Sequence, residues 1–360
     1  MGQFAPQHTL KKLPPRREKV ETIEILRGVN KASTALAELK GIAKTIPNQA
    51  MLINAIILQE AKDSSEIENI ITTQDELYKA LTVVSSKVSS ETKEVVNYRK
   101  AILTGFDTLK KQQFLRVNDI VAIQQELVDN NAGIRSTPGT VLKNEKTGEI
   151  VYTPPQDKAE INDLLSNFIQ FFNERDEELS PLINLAILHY QFESIHPFYD
   201  GNGRTGRILN ILYLILNELI DVPILYLSSY IIQNKQEYYR LLSHTNKTGE
   251  FEEWILYMLK AVENTSKRTI EKISKIKNQL DLTIEKVQNQ LPKMYRKELV
   301  ELLFEQPYSK IEHLVTKLYV ERKAASRYLK SLEEIGVLKA HKIGRETLYI
   351  NVDLIEVLKQ

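Results

Sequence analysis

The sequence contains no cysteine. A chain without thiols can form no disulfide, no thiolate metal site and no cysteine nucleophile, and such a composition fits a reducing compartment. The first twenty residues are rich in proline and basic residues but lack the apolar core of a signal peptide. We therefore expect a cytoplasmic location.

The sequence also lacks an excess of charge of either sign and a long apolar run. Lys and Arg number 48 against 47 Asp and Glu, which leaves a net charge of +1. No overall field favours nucleic acid or a membrane as the main partner, so any anion site must be built locally. The longest apolar stretch, residues 208–216, is interrupted by Asn210 and is too short to span a bilayer.

Helical periodicity covers most of the 360 residues, and that length allows two or three domains. Residues 1–111 form a predicted N-terminal helical region, and residues 112–262 a predicted helical core. Within the core, the run 182–195 is apolar on nearly all sides, which indicates a central buried helix. Ser180 and Pro181 are a suitable N-cap and first-turn pair for it.

A polar segment, residues 263–291, carries an apolar stripe and is predicted to be a linking helix. Such a stripe could also pack against a partner helix across a homodimer. The stripe consists of Ile270, Ile273, Ile276, Leu280, Ile284, Val287 and Leu291.

Strand signals occur in two places. In residues 134–152, apolar pairs flank the turn-like sequence 146–148, which predicts a β-hairpin. In residues 292–360, two short helical patterns precede a strand, a turn at residues 343–345 and a second strand, an order that suggests a winged helix-turn-helix. The basic residues of 322–330, with His341, Lys342 and Arg345 on the wing, could contact DNA. The neutral overall charge favours a packing or dimerisation role instead.

One loop, residues 196–207, combines the features of a phosphate site. Pro197 ends the preceding helix, and Gly201 and Gly203 allow a ligand to approach the backbone amides. A new apolar helix begins at once, so its N–H groups and positive dipole end point at one place. Arg204 and Arg207, three residues apart, can both lie beside that place, and arginine suits phosphate oxygens.

Two further side chains add chemistry to this loop. His196 stands at its start, and histidine is the side chain most readily poised for proton transfer near neutral pH. Asp200 is a hard oxygen ligand suited to holding Mg²⁺ against phosphates. A base, an anion site and a metal carboxylate within twelve residues indicate transfer from a phosphate-containing donor to a hydroxyl.

The sequence HPFYDGNGRTGR of this loop resembles the Fic family signature HPFx(D/E)GNGRxxR at every fixed position. The resemblance extends over roughly residues 21–260. It implies a mainly α fold: a Fic helical core with a β-hairpin flap, followed here by the C-terminal winged helix-turn-helix. It also implies a nucleotidyltransferase that moves AMP from ATP to Tyr, Thr or Ser hydroxyls of target proteins and of itself, with Mg²⁺ as cofactor.

The resemblance assigns roles residue by residue. His196 would be the catalytic base, Asp200 would hold Mg²⁺, and Phe198 would lock the loop into the core. Tyr239 would line the adenine, Asn246 could hydrogen-bond it, and the target would add as a strand beside the flap, residues 134–152. The implied ATP-binding residues are Gly201, Asn202, Gly203, Arg204, Thr205, Gly206, Arg207, Tyr239 and Asn246.

A second motif, residues 64–69 (SSEIEN), resembles the family's inhibitory pattern (S/T)xxxE(G/N). It implies that Glu68, preceded by Ser64, forms a charge-assisted pair with Arg207 and takes the place of the γ-phosphate. Two alternatives to AMP transfer stay open at this point. One is transfer of another nucleotide such as UMP, and the other is a DNA-binding transcription regulator whose Fic domain senses nucleotide.

Overall fold

The computed structural model describes residues 10–82, 88–143, 147–174, 179–343 and 346–359. It is mainly α, as predicted, with two small antiparallel sheets. Among the described residues, no helix combines the length and the apolar character that crossing a bilayer requires.

The described residues of the N-terminal half contain six α-helices. These are α1 (Ile23–Ala43), α2 (Gln49–Ile67), α3 (Gln74–Thr82), α4 (Ser90–Gln112), α5 (Val117–Val128) and α6 (Lys158–Asn173). The strands β1 (Leu142–Lys143) and β2 (Ile150–Tyr152) lie between α5 and α6.

The second half contains nine further helices in the described residues. These are α7 (Pro181–Ile195), α8 (Asn202–Leu216), α9 (Ser228–Gln233), α10 (Lys235–Thr248), α11 (Glu252–Gln290), α12 (Lys297–Glu305), α13 (Ile311–Leu318), α14 (Arg322–Glu334) and α15 (Val352–Lys359). The remaining strands are β3 (Tyr308–Ser309), β4 (Lys339–Ile343) and β5 (Glu346–Ile350).

Helix α7 is the central helix of the core. It begins where the Ser180 side chain accepts a hydrogen bond from Leu182 N, with Pro181 in the first turn, as predicted. All but two of its fifteen side chains are buried, and α1, α6, α8 and α11 pack around it. The prediction of a central buried helix is therefore confirmed, and the ends of α7 and α8 fix the position of the loop between them.

The predicted flap is present as the hairpin β1–β2, in which Leu142 pairs with Tyr152. Part of its predicted turn, residues 144–146, lies outside the described residues. The base of the flap is joined to the loop after α7 by an isolated antiparallel bridge between Ile134 and Phe198.

The C-terminal module has the predicted arrangement of helices α13 and α14 followed by a two-stranded wing. Strand β5 lies between β3 and β4, all antiparallel, and α15 follows. The first strand of the wing begins at Lys339. Of the predicted wing turn, residues 344 and 345 lie outside the described residues.

Helix α11 is one continuous helix of 39 residues that passes through residue 262, where the sequence analysis placed a domain boundary. Its apolar stripe is covered within the chain. Ile273, Ile276, Leu280 and Val287 are buried, and α12 and α15 pack along this part of the molecule. Contacts within one chain therefore account for the stripe without a partner helix.

This packing gives a first prediction. Leu280→Ala should lower the free energy of unfolding by about 2–5 kcal/mol, because it removes a side chain that is 2% exposed from a packed core. Leu282→Ala is the matched control on the same helix. Leu282 is 51% exposed, and its loss should change the stability by less than about 0.5 kcal/mol.

Urea unfolding followed by circular dichroism measures both variants. The unfolding midpoint of the parent could instead depend on protein concentration, with Leu280→Ala removing that dependence. This result would place the stripe between two copies of the chain.

Candidate active site

The loop between α7 and α8 is closed by internal hydrogen bonds. Phe198 has no exposed surface and points into the core, as predicted. Its N–H donates to Asn202 Oδ1 and its carbonyl accepts from Asn202 Nδ2, both at 2.8 Å. The Asn202 side chain, for which a phosphate contact was predicted, thus has both ends of its amide engaged with Phe198. For a phosphate contact this position keeps the second hydrogen of Nδ2 and its backbone N–H, in the first turn of α8.

Gly201 allows the chain to enter α8. Its φ of 78° is in the left-handed region, which favours glycine. An added Cβ would also lie 2.8 Å from Val128 Cγ1, so both the backbone conformation and the available space require glycine here. The neighbouring Asp200 is exposed. Its Oδ1 accepts from Gly201 N at 2.6 Å and lies 3.4 Å from Arg204 Nη2. No hydrogen bond to Asp200 Oδ2 is formed by the described residues, so that oxygen is available to a ligand.

The side chains that follow Gly203 at the start of α8 are buried against different neighbours. Arg204 is buried and pairs with Glu94 Oε2 at 2.8 Å, which directs the guanidinium towards Asp200. Thr205 has no exposed surface, and a Cβ on Gly206 would lie 2.8 Å from Glu193 Oε1 on α7. Thr205 is therefore buried and Gly206 lies against α7, and this placement gives no support to the ATP contacts predicted for them.

Arg207 lies beside the residues that the sequence analysis paired with it. Its Nε donates to Ser64 Oγ at 2.7 Å, and its Nη2 donates to Ser64 O and to Glu68 Oε1, each at 2.9 Å. Helix α2 ends at this point, with Glu68 as its C-cap. Lys235 Nζ donates to the Ile67 carbonyl at 2.6 Å, which satisfies one of the last carbonyls of α2.

The Arg207–Glu68 pair is strongly asymmetric in its exposure. The Arg207 side chain is 2% exposed, and that of Glu68 is 35% exposed. Burial would raise the pKa of Glu68, but the attraction of Arg207 outweighs it and holds the pKa below its usual value. An added Cβ at Gly203 would lie 2.5 Å from Glu68 Oε1, so glycine at this position makes room for the glutamate.

His196 is the C-cap of α7 and adopts a left-handed conformation, with φ 47° and ψ 60°. Burial and the nearby Arg135 lower the pKa of its imidazole to about 4. The ring is therefore neutral at pH 7, which is the form that accepts a proton.

The two residues predicted for the adenine side both lie on α10. Tyr239 is 45% exposed and packs edge to face on Tyr238. Asn246 Oδ1 accepts from Tyr190 OH at 2.8 Å and from Ser194 Oγ at 3.1 Å. A base contact from Asn246 would therefore use its amide nitrogen.

Three family models match the chain in succession. A model of the Fic/DOC family N-terminal region matches residues 26–107, and a Fic/DOC family model matches residues 114–214. A model described as protein adenylyltransferase SoFic-like, C-terminal domain, matches residues 280–354. The chain belongs to the Fic/DOC family. The loop at residues 196–207, all of α7 and α8 up to residue 214 fall within the Fic/DOC matches.

Curated relatives are named protein adenylyltransferases. The Fic protein of Nematostella vectensis is 26% identical over 186 residues, which is 51% of this chain and 40% of that protein. The fic-1 protein of Caenorhabditis briggsae is 27% identical over 196 residues, which is 52% of this chain and 36% of that protein. The similarity therefore spans less than half the length of these relatives.

Solved structures share the fold. A Fic family protein from Desulfovibrio desulfuricans superposes with a TM-score of 0.59 at 18% identity, over 94% of this chain and 98% of that one. Fic-1 from Caenorhabditis elegans gives a TM-score of 0.53 at 20% identity, over 69% of this chain and 74% of that one. The first of these covers the C-terminal module as well as the Fic core.

The sequence analysis missed a buried acid behind the Fic motif, Glu60. It lies on α2 four residues before Ser64 and eight before Glu68, and that helical spacing is the signal that could have found it. Its Oε1 accepts from Tyr98 OH at 3.1 Å and from Ser228 Oγ, whereas its Oε2 has no partner. Burial raises the pKa of Glu60 to about 8, against the opposing effect of these hydrogen bonds.

A stability prediction follows from Glu60. Its pKa is about 8 in the folded protein and ordinarily 4.5, so the folded state keeps a proton that the unfolded chain releases as the pH rises. The stability that this acid contributes is therefore present below pH 4.5 and lost as the pH rises towards 8. Glu60→Gln, which cannot ionise, should be more stable than the parent by about 4 kcal/mol at pH 8, with the difference vanishing towards pH 4.5.

Urea unfolding at pH 5, 6.5 and 8 measures this difference. Glu66→Gln is the control, because Glu66 is on the same helix but its carboxylate is partly exposed and paired with Lys62. Parallel stability curves for the parent and Glu60→Gln across this range would contradict the prediction.

Proposed function

We propose that this protein is a protein adenylyltransferase, which transfers AMP from ATP to Tyr, Thr or Ser hydroxyls of target proteins and of itself. The observation that carries the proposal is the complete Fic loop, in which a neutral His196 precedes the N-terminus of α8. The names of the curated relatives support the same reaction.

In the proposed reaction, His196 accepts the proton of the target hydroxyl, and the freed oxygen attacks the α-phosphorus of ATP. The bond between the α-phosphorus and its bridging oxygen to the β-phosphate breaks, and pyrophosphate leaves. The backbone N–H groups of Asn202, Gly203 and Arg204 have no partner within α8, so they can donate to the phosphate oxygens as charge develops there.

Mg²⁺ is the proposed cofactor, and Asp200 would hold it. The exposed carboxylate with its unbonded Oδ2 fits a cation that takes one protein ligand and completes its shell with phosphate oxygens and water. In the described part of the chain, no group of three or more His, Asp or Glu side chains is arranged as a metal site. The ion would neutralise phosphate charge.

The remaining nucleotide contacts are proposed for α8 and α10. Arg207 would bind the γ-phosphate, Tyr239 would lie against the adenine, and Asn246 would donate its amide to it. Because Arg207 is bonded to Glu68 and Ser64, the γ-phosphate and Glu68 compete for one guanidinium. We infer that Glu68 is autoinhibitory and holds ATP away from the geometry needed for in-line attack.

The flap, residues 134–152, is the proposed docking site for the target. An extended target segment would add beside β1 or β2 through backbone hydrogen bonds, which position the hydroxyl without requiring a particular sequence. A homodimer would allow one copy to modify another.

Two other functions are weaker. Transfer of UMP would use the same loop, and only contacts at Tyr239 and Asn246 would discriminate against it. For a DNA-binding regulator, α14 offers the exposed Lys323 and Lys330, but Arg322 pairs with Glu312 at 2.6 Å, and the net charge is +1. An intact His196 has no use in a purely sensory domain, which weighs against the regulator, and the names of the curated relatives favour AMP over UMP.

The test is AMP transfer by Glu68→Gly. This change should raise incorporation of label from ATP labelled at the α-phosphate by at least about tenfold, because Arg207 becomes free to bind ATP. Glu66→Gly is the matched control. It places glycine in the same last turn of α2 but removes no bond to Arg207, so it should leave incorporation near the parent level.

His196→Ala in the Glu68→Gly background should reduce incorporation to the level of a blank. With ATP labelled at the γ-phosphate instead, no sample should incorporate label, because that label leaves with pyrophosphate. Label from UTP in place of ATP would move the proposal to UMP transfer, and equal rates for Glu68→Gly and the parent would remove the inhibitory role.

A further inference from the structure

The first residues of the flap carry a buried arginine that has no role in the scheme above. Arg135 has no exposed surface. Its side chain donates from Nε to His196 O at 2.7 Å and from Nη2 to Ile195 O at 3.2 Å. Its backbone N–H donates to Pro197 O at 2.9 Å. One residue thus binds three consecutive carbonyls, centred on the proposed base.

These carbonyls belong to a strained part of the chain. Residues 195 and 196 end α7, where carbonyls lack partners within the helix, and His196 has a positive φ that side chains rarely adopt. A conformation of this kind persists only where the surroundings determine it. The guanidinium of Arg135 holds this conformation in place, because two of its donors bond the successive carbonyls of Ile195 and His196.

Arg135 also holds the far end of the flap. Its Nη2 donates to Pro155 O, just beyond β2. Two tyrosines strengthen the same junction: Tyr199 OH accepts from Ser136 N at 2.9 Å, and Tyr152 OH donates to Ser194 O at 3.0 Å. The two ends of the flap and the loop of the base therefore meet around one guanidinium.

The charge of Arg135 has no carboxylate in direct contact. Within the described ranges no acid lies at ion-pair distance from it, Glu160 attracts the guanidinium only from farther away, and Nη1 has no hydrogen-bond partner. A buried cation without a counter-ion is costly to keep in a fold, and a neutral side chain would be the more stable choice if packing were its only purpose. An unpaired charge at this place indicates a use for it.

Building on the proposed AMP transfer, we propose that Arg135 is the positioning residue of the base. It fixes the backbone of residues 195–197 so that the imidazole of His196 and the target-binding flap keep one relative position, and its positive charge opposes protonation of that imidazole.

The charges around His196 support this role. Burial is the main cause of its low pKa, and Arg135 lowers the pKa further. The other groups that face the ring act in the opposite direction. These are the Glu193 carbonyl, the Glu68 carboxylate from the end of α2 and the Asp200 carboxylate from the loop. Arg135 is therefore the cation that offsets two carboxylates near the base.

The first experiment measures His196 itself and needs no nucleotide. In the full chain, the His196 ring resonances are assigned with His196→Ala and followed by NMR from pH 8 to pH 5. The parent ring should stay neutral throughout. In Arg135→Gln the pKa should rise by about 1, so protonation begins at the acid end of the titration. Arg99→Gln is the control. Arg99 is a different, partly buried arginine bonded to Asn54, and its replacement should leave the His196 titration unchanged.

The second experiment separates position from charge by kinetics in the Glu68→Gly background. Arg135→Lys keeps the charge but loses the fork, so kcat should fall about tenfold or more while KM for ATP stays within about twofold. The pH profile of Arg135→Lys should match that of its background. In Arg135→Gln, kcat should also fall, and the acid limb of the profile should move to higher pH.

Thermal unfolding shows whether each variant is folded, and the outcomes decide the proposal even if one variant is not. An unchanged His196 titration in a folded Arg135→Gln overturns the charge role. An unchanged kcat in Arg135→Lys overturns the positioning role, and this variant alone tests it if Arg135→Gln does not fold. If no variant transfers AMP, the proposed function fails, while the NMR titration still decides whether Arg135 sets the state of His196.

Discussion

The structure depends most on the partners of one buried guanidinium, that of Arg207. Its position in the first turn of α8 is fixed by the helix, and its side chain is 2% exposed. A buried cation must be paired, and leaving it alone would destabilise the fold. In this structure the end of α2 supplies the partners, through Ser64 and Glu68. In the proposed reaction the γ-phosphate would supply them, so the resting and active states satisfy the same requirement with different anions.

Helix α2 connects this requirement to the C-terminal module. Near its start, Asn48 and Asn54 donate to the side chain and the carbonyl of Glu305 on α12. Beyond its end, Tyr308 donates to Asp75 and stacks on Tyr78 at 5.2 Å between ring centroids. The helix that ends in Glu68 is thus held at the active site and at the C-terminal module. A displacement of α2 that freed Arg207 would have to break or carry along contacts at both places.

The sequence predicted the local features of the site well, because these depend on neighbouring residues. The end of α7, the entry to α8 and the start of α7 at Ser180 all follow from short patterns of cap, glycine and proline residues. The pairing of Glu68 with Arg207, 139 residues apart, was predicted only through the family resemblance. No spacing rule relates such distant positions.

What the sequence could not reveal depends on tertiary packing. The bonds of Asn202 to Phe198 required the loop conformation to be known, and Thr205 and Gly206 could not be assigned to the buried side of α8 from the motif. Arg135 lies in the segment predicted as a hairpin from apolar pairs that flank a turn, and a single arginine adds no signal to that pattern. The stripe of α11 looked equally suited to an internal and an external partner, since periodicity specifies a face but not what covers it.

The close approach at Gly203 has a consequence for how such chains can diverge. A Cβ at this position would come within 2.5 Å of Glu68 Oε1 and 3.0 Å of Arg207 Nη1. A descendant that gained a side chain at residue 203 would push the Glu68 carboxylate from its present position against Arg207, and a descendant without the glutamate would lose this reason for glycine at residue 203. The two positions, 135 residues apart in the sequence, are therefore expected to change together.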